Sequence, residues 1–110
     1  MLRQPDPTGA DADADAAVRA LAEPLRARIV ELLAGEQLCT CHLVDLTGAR
    51  QTNISNHLRV LREAGLVTAE PVGRYTYYRL RDEALTLLAQ HFTDLARCAL
   101  GTATVRRACP

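Results

Sequence analysis

The hydrophobic period of this chain changes at Gly65, and that change restricts the folds open to it. Upstream, apolar residues recur at helical spacing: Leu25, Ile29, Leu32 and Leu33, then Leu43 and Leu46, then Ile54, Leu58 and Leu61. Each set falls on one face of a helix with about 3.6 residues per turn. Downstream, GLVTAEPVGRYTYYRL is rich in β-branched and aromatic residues and is split at Gly73-Arg74. That pattern predicts a hairpin with strands over about Leu66–Val72 and Tyr75–Leu80. A helical period then returns from about Glu83 to Ala99, capped by Asp82, with Leu85, Leu88, Phe92 and Leu95 as its apolar stripe.

The helices before the break fall into a recognisable order. An Ala-rich segment from about Asp13 to Ala22 precedes Pro24, which suits the first turn of the next helix because its missing N–H costs nothing there. Gly35 closes that second helix. Two short helices follow, about Thr40–Thr47 with Leu43 and Leu46 inward and about Thr52–Ala64, joined by the tight turn Gly48-Ala49-Arg50. Two helices across a Gly-containing turn are the helix-turn-helix unit. The predicted fold is therefore mainly α with a β-hairpin wing: a winged helix-turn-helix of order α-α-α-α-β-β-α. Residues 1–12 read as a flexible arm, 13–100 as one DNA-binding and dimerisation domain, and 101–110 as a tail. A 110-residue chain builds one modest core, and dimerising is a common way to complete its burial.

The zero net charge conceals an asymmetry. Residues 50–81 hold Arg50, Arg59, Arg62, Arg74, Arg79 and Arg81 against only Glu63 and Glu70, while acids outnumber Arg before residue 50. Basic charge thus concentrates on the helix-turn-helix and hairpin, as a phosphate-facing surface requires. No apolar stretch reaches the roughly 18 residues of a membrane span. The start, MLRQPDPTGADADADA, lacks the apolar run of a signal peptide, so the expected location is cytoplasmic.

In the second helix of the unit, Thr52, Asn53, Asn56 and Arg59 lie opposite the Ile54/Leu58/Leu61 face, with Gln51 at its start. Asn pairs bidentately with adenine and Arg with guanine, and the start of such a helix enters the major groove. Ser55 and Arg62 flank that face and suit phosphates; His57 lies on its edge. An ordinary solvated helix carries the same residue types, and the adjoining turn and Arg-bearing hairpin favour DNA.

ISNHLRVLREAGLV followed by GRYTYYRL, with ALAEPLRARIVELLA upstream, strongly resembles the ArsR/SmtB family of metal-sensing winged-helix repressors over roughly Ala20–Leu88. The resemblance implies a homodimer on palindromic operator DNA, with the first and last helices at the dimer interface. It also implies recognition-helix roles for Gln51, Thr52, Asn53, Ser55, Asn56 and His57, and a wing tip of Gly73, Arg74 and Tyr75 in which Arg74 reaches flanking phosphates or the minor groove.

Four cysteines, Cys39, Cys41, Cys98 and Cys109, point in a reducing compartment to metal binding or redox sensing rather than disulfides. Cys39-Thr40-Cys41-His42 stands at a predicted helix start. Residues two apart on a helix diverge by about 200°. The two sulfurs converge only if Cys39 occupies an extended lead-in. Thiolates select soft ions, and a helix N-terminus favours the thiolate. LCTCHL resembles the L-C-x-C-x-L segment of the family's arsenic-, cadmium- and lead-responsive members. The implied inducer is As(III), with Cd(II) or Pb(II) as alternatives. The third cysteine frequent in arsenic sensors is replaced here by Val44. Cys98 on the last helix or Cys109 on the tail would supply the third sulfur, the Arg106-Arg107 pair favouring Cys109; His42 is a fallback ligand. The family's zinc site on the last helix is not expected, since only its second half, His91-x-x-Asp94, is matched and Leu80 occupies the first.

The expected protein is thus a metal(loid)-released repressor and not an enzyme; C-x-C without a strand-helix-strand unit does not suit a thiol reductase. The alternative within the same fold is a repressor switched by thiol oxidation or persulfidation.

Overall fold

A computed structural model describes residues 10–110, with side chains from Ala14 onward. Its elements are α1 (Ala10–Leu21), α2 (Pro24–Leu33), β1 (Leu38–Cys39), α3 (Thr40–Thr47), α4 (Gln51–Glu63), β2 (Val67–Val72), β3 (Tyr75–Leu80) and α5 (Asp82–Gly101). This is the winged helix-turn-helix, with one strand more than the hydrophobic pattern indicates. The expected arm at 1–12 lies mostly outside the described residues; where it is described, α1 already begins at Ala10, so the helix takes its last three residues.

Local chemistry explains most boundaries. Pro24 opens α2 behind Glu23, whose Oε2 accepts the Arg26 backbone N–H at 2.9 Å. Gly48 ends α3 at φ 74°, a left-handed position favouring glycine, and turns the chain toward α4. β2 and β3 pair antiparallel from Val67↔Leu80 to Val72↔Tyr75 around Gly73, which has φ 61°.

The added strand joins the other edge of β3: Leu38 pairs with Tyr78 and Cys39 with Tyr77. The sheet order is β1-β3-β2. Two residues are too few to show a hydrophobic period, which is why the sequence gives no sign of β1.

The core gathers Ala17 and Ala20 of α1, Ile29 and Leu33 of α2, Leu38, Leu43 of α3, and Ile54, Leu58 and Leu61 of α4. Leu66, Val67 and Leu88 complete it. Two expectations about facing need correction. Leu43 is fully buried, but Leu46 is 51% exposed, because α3 meets the core on the side of Leu43 and the partly buried Val44. The α5 stripe also divides: Leu88 is buried and Leu85 packs against the core, whereas Phe92 and Leu95 are exposed, together with Leu87. The first half of α5 therefore serves this protomer's own core, and its second half carries an unpartnered apolar face.

Candidate nucleic-acid interface and thiolate centre

Helix α4 rests on the core through Ile54, Leu58 and Leu61. That seating sends Gln51, Thr52, Asn53, Ser55, Asn56, Arg59 and Arg62 to the exposed side. Arg59 forms a 3.6 Å surface ion pair with Glu63, one turn along. Such an exposed pair is worth little, so Arg59 can exchange Glu63 for a phosphate or base at small cost. Arg74 is exposed at the tip of the β2–β3 hairpin. These polar residues of α4 and Arg74 at the wing tip are thus all open to solvent.

His57 stands apart from these residues. Its side chain is 15% exposed, with Nε2 3.7 Å from Glu23 Oε2. Its Nδ1 lies 3.1 Å from the Arg26 guanidinium. The imidazole faces α2, away from the exposed face.

The thiolate centre is built by a change of backbone state. Cys39 pairs with β3 and caps α3 in an extended conformation, φ −88° and ψ 171°, while Cys41 lies within the first turn. The extended cap lets the two side chains meet despite their spacing. The ligand atoms of Cys39, Cys41 and His42 all lie within 4.8 Å of one another. The Cys39 backbone N–H donates to His42 Nδ1 at 3.2 Å, a capping interaction that holds the imidazole over the helix start. The same Nδ1 lies 3.2 Å from the Cys39 sulfur. The His42 ring tilts against Tyr77 of β3, with centroids 6.0 Å apart.

The two thiols differ in acidity. Burial pushes the Cys39 thiol up, but the Cys41 thiol and the backbone N–H groups of His42 and Cys41 hydrogen-bond its sulfur, and the net shift is downward. Cys41 shifts up, chiefly because its proton is held on the Cys39 sulfur. Of the pair, the buried Cys39 sulfur is therefore the easier to ionise and the exposed Cys41 sulfur the harder. Two soft sulfurs and an imidazole suit a thiophilic or borderline metal ion and not a hard one.

Cys98 and Cys109 are exposed and unbridged and do not join this group. Sequence reading ranked them above His42 as third ligand, whereas the fold brings His42 to the cluster. The available signal was its position: residue three of a helix whose cap is Cys39 can reach back to the cap. Tyr77 was missed altogether, since it approaches through the unforeseen β1–β3 ladder. Among the described residues no helix is long and apolar enough to cross a membrane.

Residues 23–69 match the profile described as bacterial regulatory protein, arsR family. The chain is 38% identical over 81 residues to the arsenical resistance operon repressor of Bacillus subtilis, covering 72% of this chain and 77% of that one. It is 46% identical over 68 residues to the HTH-type transcriptional repressor SmtB of Mycobacterium tuberculosis, covering 62% of this chain and 50% of the relative. The chain spans about half the length of several curated relatives it matches. Among solved structures, the homodimeric winged helix-turn-helix DNA-binding domain of a possible ArsR-family regulator from Mycobacterium bovis superposes with a TM-score of 0.65 at 27% identity. That match covers 100% of this chain and 99% of that one. By this kinship the chain belongs to the ArsR family of bacterial regulatory proteins.

Proposed function

We propose that this protein is a cytoplasmic transcriptional repressor that binds operator DNA as a homodimer and lets go when Cys39 and Cys41 bind a soft metal or metalloid. As(III) is the first choice of inducer, with Cd(II) or Pb(II) as alternatives. The observation that carries the reading is the convergence of Cys39, Cys41 and His42 at the start of α3, the helix that leads directly into α4. Kinship with arsenical resistance and SmtB-type repressors supports the same reading.

In this reading Gln51, Thr52, Asn53, Asn56 and Arg59 face base edges, while Ser55, Arg62 and Arg74 hold phosphates. Exposed Leu87, Phe92 and Leu95 on α5 supply the dimer face. Cys39 and Cys41 provide two sulfurs and His42 the third donor within the protomer. For As(III), which favours three thiolates, exposed Cys109 or Cys98 supplies the third sulfur. A bound ion would contribute strong bonds to both sulfurs at once. Cys39 is fixed to β3, so closing the donor set draws Cys41 and the first turn of α3 toward it. Displacement of α3 tilts α4, and the two reading helices lose their match to successive major grooves. Coupling of about 1–3 kcal/mol between such sites is typical.

The test is fluorescence anisotropy of the reduced protein on its own upstream DNA, titrated with As(III), Cd(II), Pb(II) and Zn(II). The expected result is release by a thiophilic ion, lost in Cys39→Ser and Cys41→Ser. His42→Ala, Cys98→Ser and Cys109→Ser then identify the third ligand. DNA binding indifferent to every ion but reversed by thiol oxidation would transfer the cysteines to the redox reading.

A further inference from the structure

His57 is the only side chain of the expected reading set that turns inward, and its partners form a connected chain. Arg26 donates Nε to the Ala20 carbonyl at the end of α1 (2.6 Å) and sets its NH1 3.1 Å from His57 Nδ1. A guanidinium has no acceptor, so Nδ1 must accept and the neutral ring carries its proton on Nε2. Nε2 in turn faces Glu23 Oε2 at 3.7 Å, on the carboxylate that caps α2. One imidazole on α4 therefore engages two side chains at the corner between α1 and α2, and through Arg26 the last turn of α1.

From this geometry we infer that His57 is a positioning residue, a strut that sets the angle of α4 against the α1–α2 corner, and that it does not read bases. The inference rests on the proposal that α4 is the DNA-reading helix. The hydrophobic contacts of Ile54, Leu58 and Leu61 hold α4 on the core but are non-directional. A two-pronged polar contact on the flank of that face supplies the orientation they lack. Since α1 packs on α5 as well as α2, the strut also joins α4 to the helices that would carry the dimer.

The role separates from base reading by pattern of loss. His57→Ala should weaken binding to upstream DNA by about tenfold, the scale of one charge-assisted hydrogen bond. The loss should be equal across a panel of single base-pair substitutions, and the slope of affinity against salt should not change. A base reader would instead lose discrimination at one or two base pairs. Arg26→Met should cause a loss at least as large, since it also removes the Ala20 contact, and the double variant should lose less than the sum of the two singles, because both remove the His57–Arg26 contact. His57→Asn, which keeps an acceptor near the place of Nδ1, should recover part of the affinity. All variants are compared where circular dichroism shows them fully folded.

A second readout needs no DNA. In nitrogen-15 spectra of the wild type, the neutral His57 ring should carry its proton on Nε2, with that preference weakened in Arg26→Met. A proton on Nδ1, loss of discrimination at a single base pair, or additive losses in the double variant would each overturn the inference. Failure of the wild type to bind its upstream duplex, with the Nε2–H form intact, would instead sink the DNA-reading proposal and reduce the strut to a fold contact.

Discussion

Leu43 and Leu46 are the two leucines of α3, and sequence spacing treats them alike; the structure ranks them far apart. Leu43→Ala deletes three carbons from a site with no exposure. At about 0.8 kcal/mol per buried carbon the transfer loss is about 2.4 kcal/mol. Incomplete collapse of the vacated site raises the total to roughly 3–4 kcal/mol. Leu46 is 51% exposed, so the same deletion removes about half the transfer term and leaves no cavity. Its cost is about 1 kcal/mol, partly offset by the better helix propensity of Ala. Urea unfolding followed by circular dichroism measures the difference, at one fixed protein concentration because dimerisation shifts the midpoint. With an m-value of about 1–3 kcal/mol/M, the Leu43→Ala midpoint should fall below that of Leu46→Ala by about 1–2 M. The variant should also bind Cd(II) more weakly, since Leu43 seats the helix that presents Cys41 and His42. Equal losses in the two variants would refute the burial argument.

Three further outcomes are expected. Gly48→Ala meets no atom within 4 Å but must hold φ near 74°, so it should cost about 1 kcal/mol by the same unfolding assay, with Gly48→Asn costing less. Arg74→Ala should weaken binding evenly across DNA sequences and reduce the slope of affinity against salt by about one, as loss of a single phosphate contact does. In ultraviolet thiolate titrations, Cys39 should ionise at lower pH than an unperturbed thiol and Cys41 at higher pH. Cys41→Ala should move Cys39 upward by removing the S–H that stabilises its anion, and Cys39→Ser should move Cys41 downward; the opposite directions would contradict the shared-proton arrangement.

The local signals in this chain are strong because each depends on neighbours in sequence. Period, Pro24, Gly48 and Gly73 placed the helices and the hairpin, and α3 spans Thr40–Thr47 as its residues indicate. The need for Cys39 to stand outside α3 also followed from helix geometry alone, and its extended cap meets that need. Tertiary structure decided what depends on distant partners. β1 exists because Leu38 and Cys39 find Tyr78 and Tyr77, and nothing within a two-residue segment announces such a pairing. That pairing fixes the buried sulfur and brings the Tyr77 ring to His42. The side of α3 that meets the core chose Leu43 over Leu46. His57 lies at the edge of the α4 face, where periodicity assigns neither side, and Glu23 at the cap of α2 and Arg26 within it draw it inward. Sequence determines which residues share a helix face; only the packed chain determines which edge of that face finds a partner, because burial and polar pairing act across space.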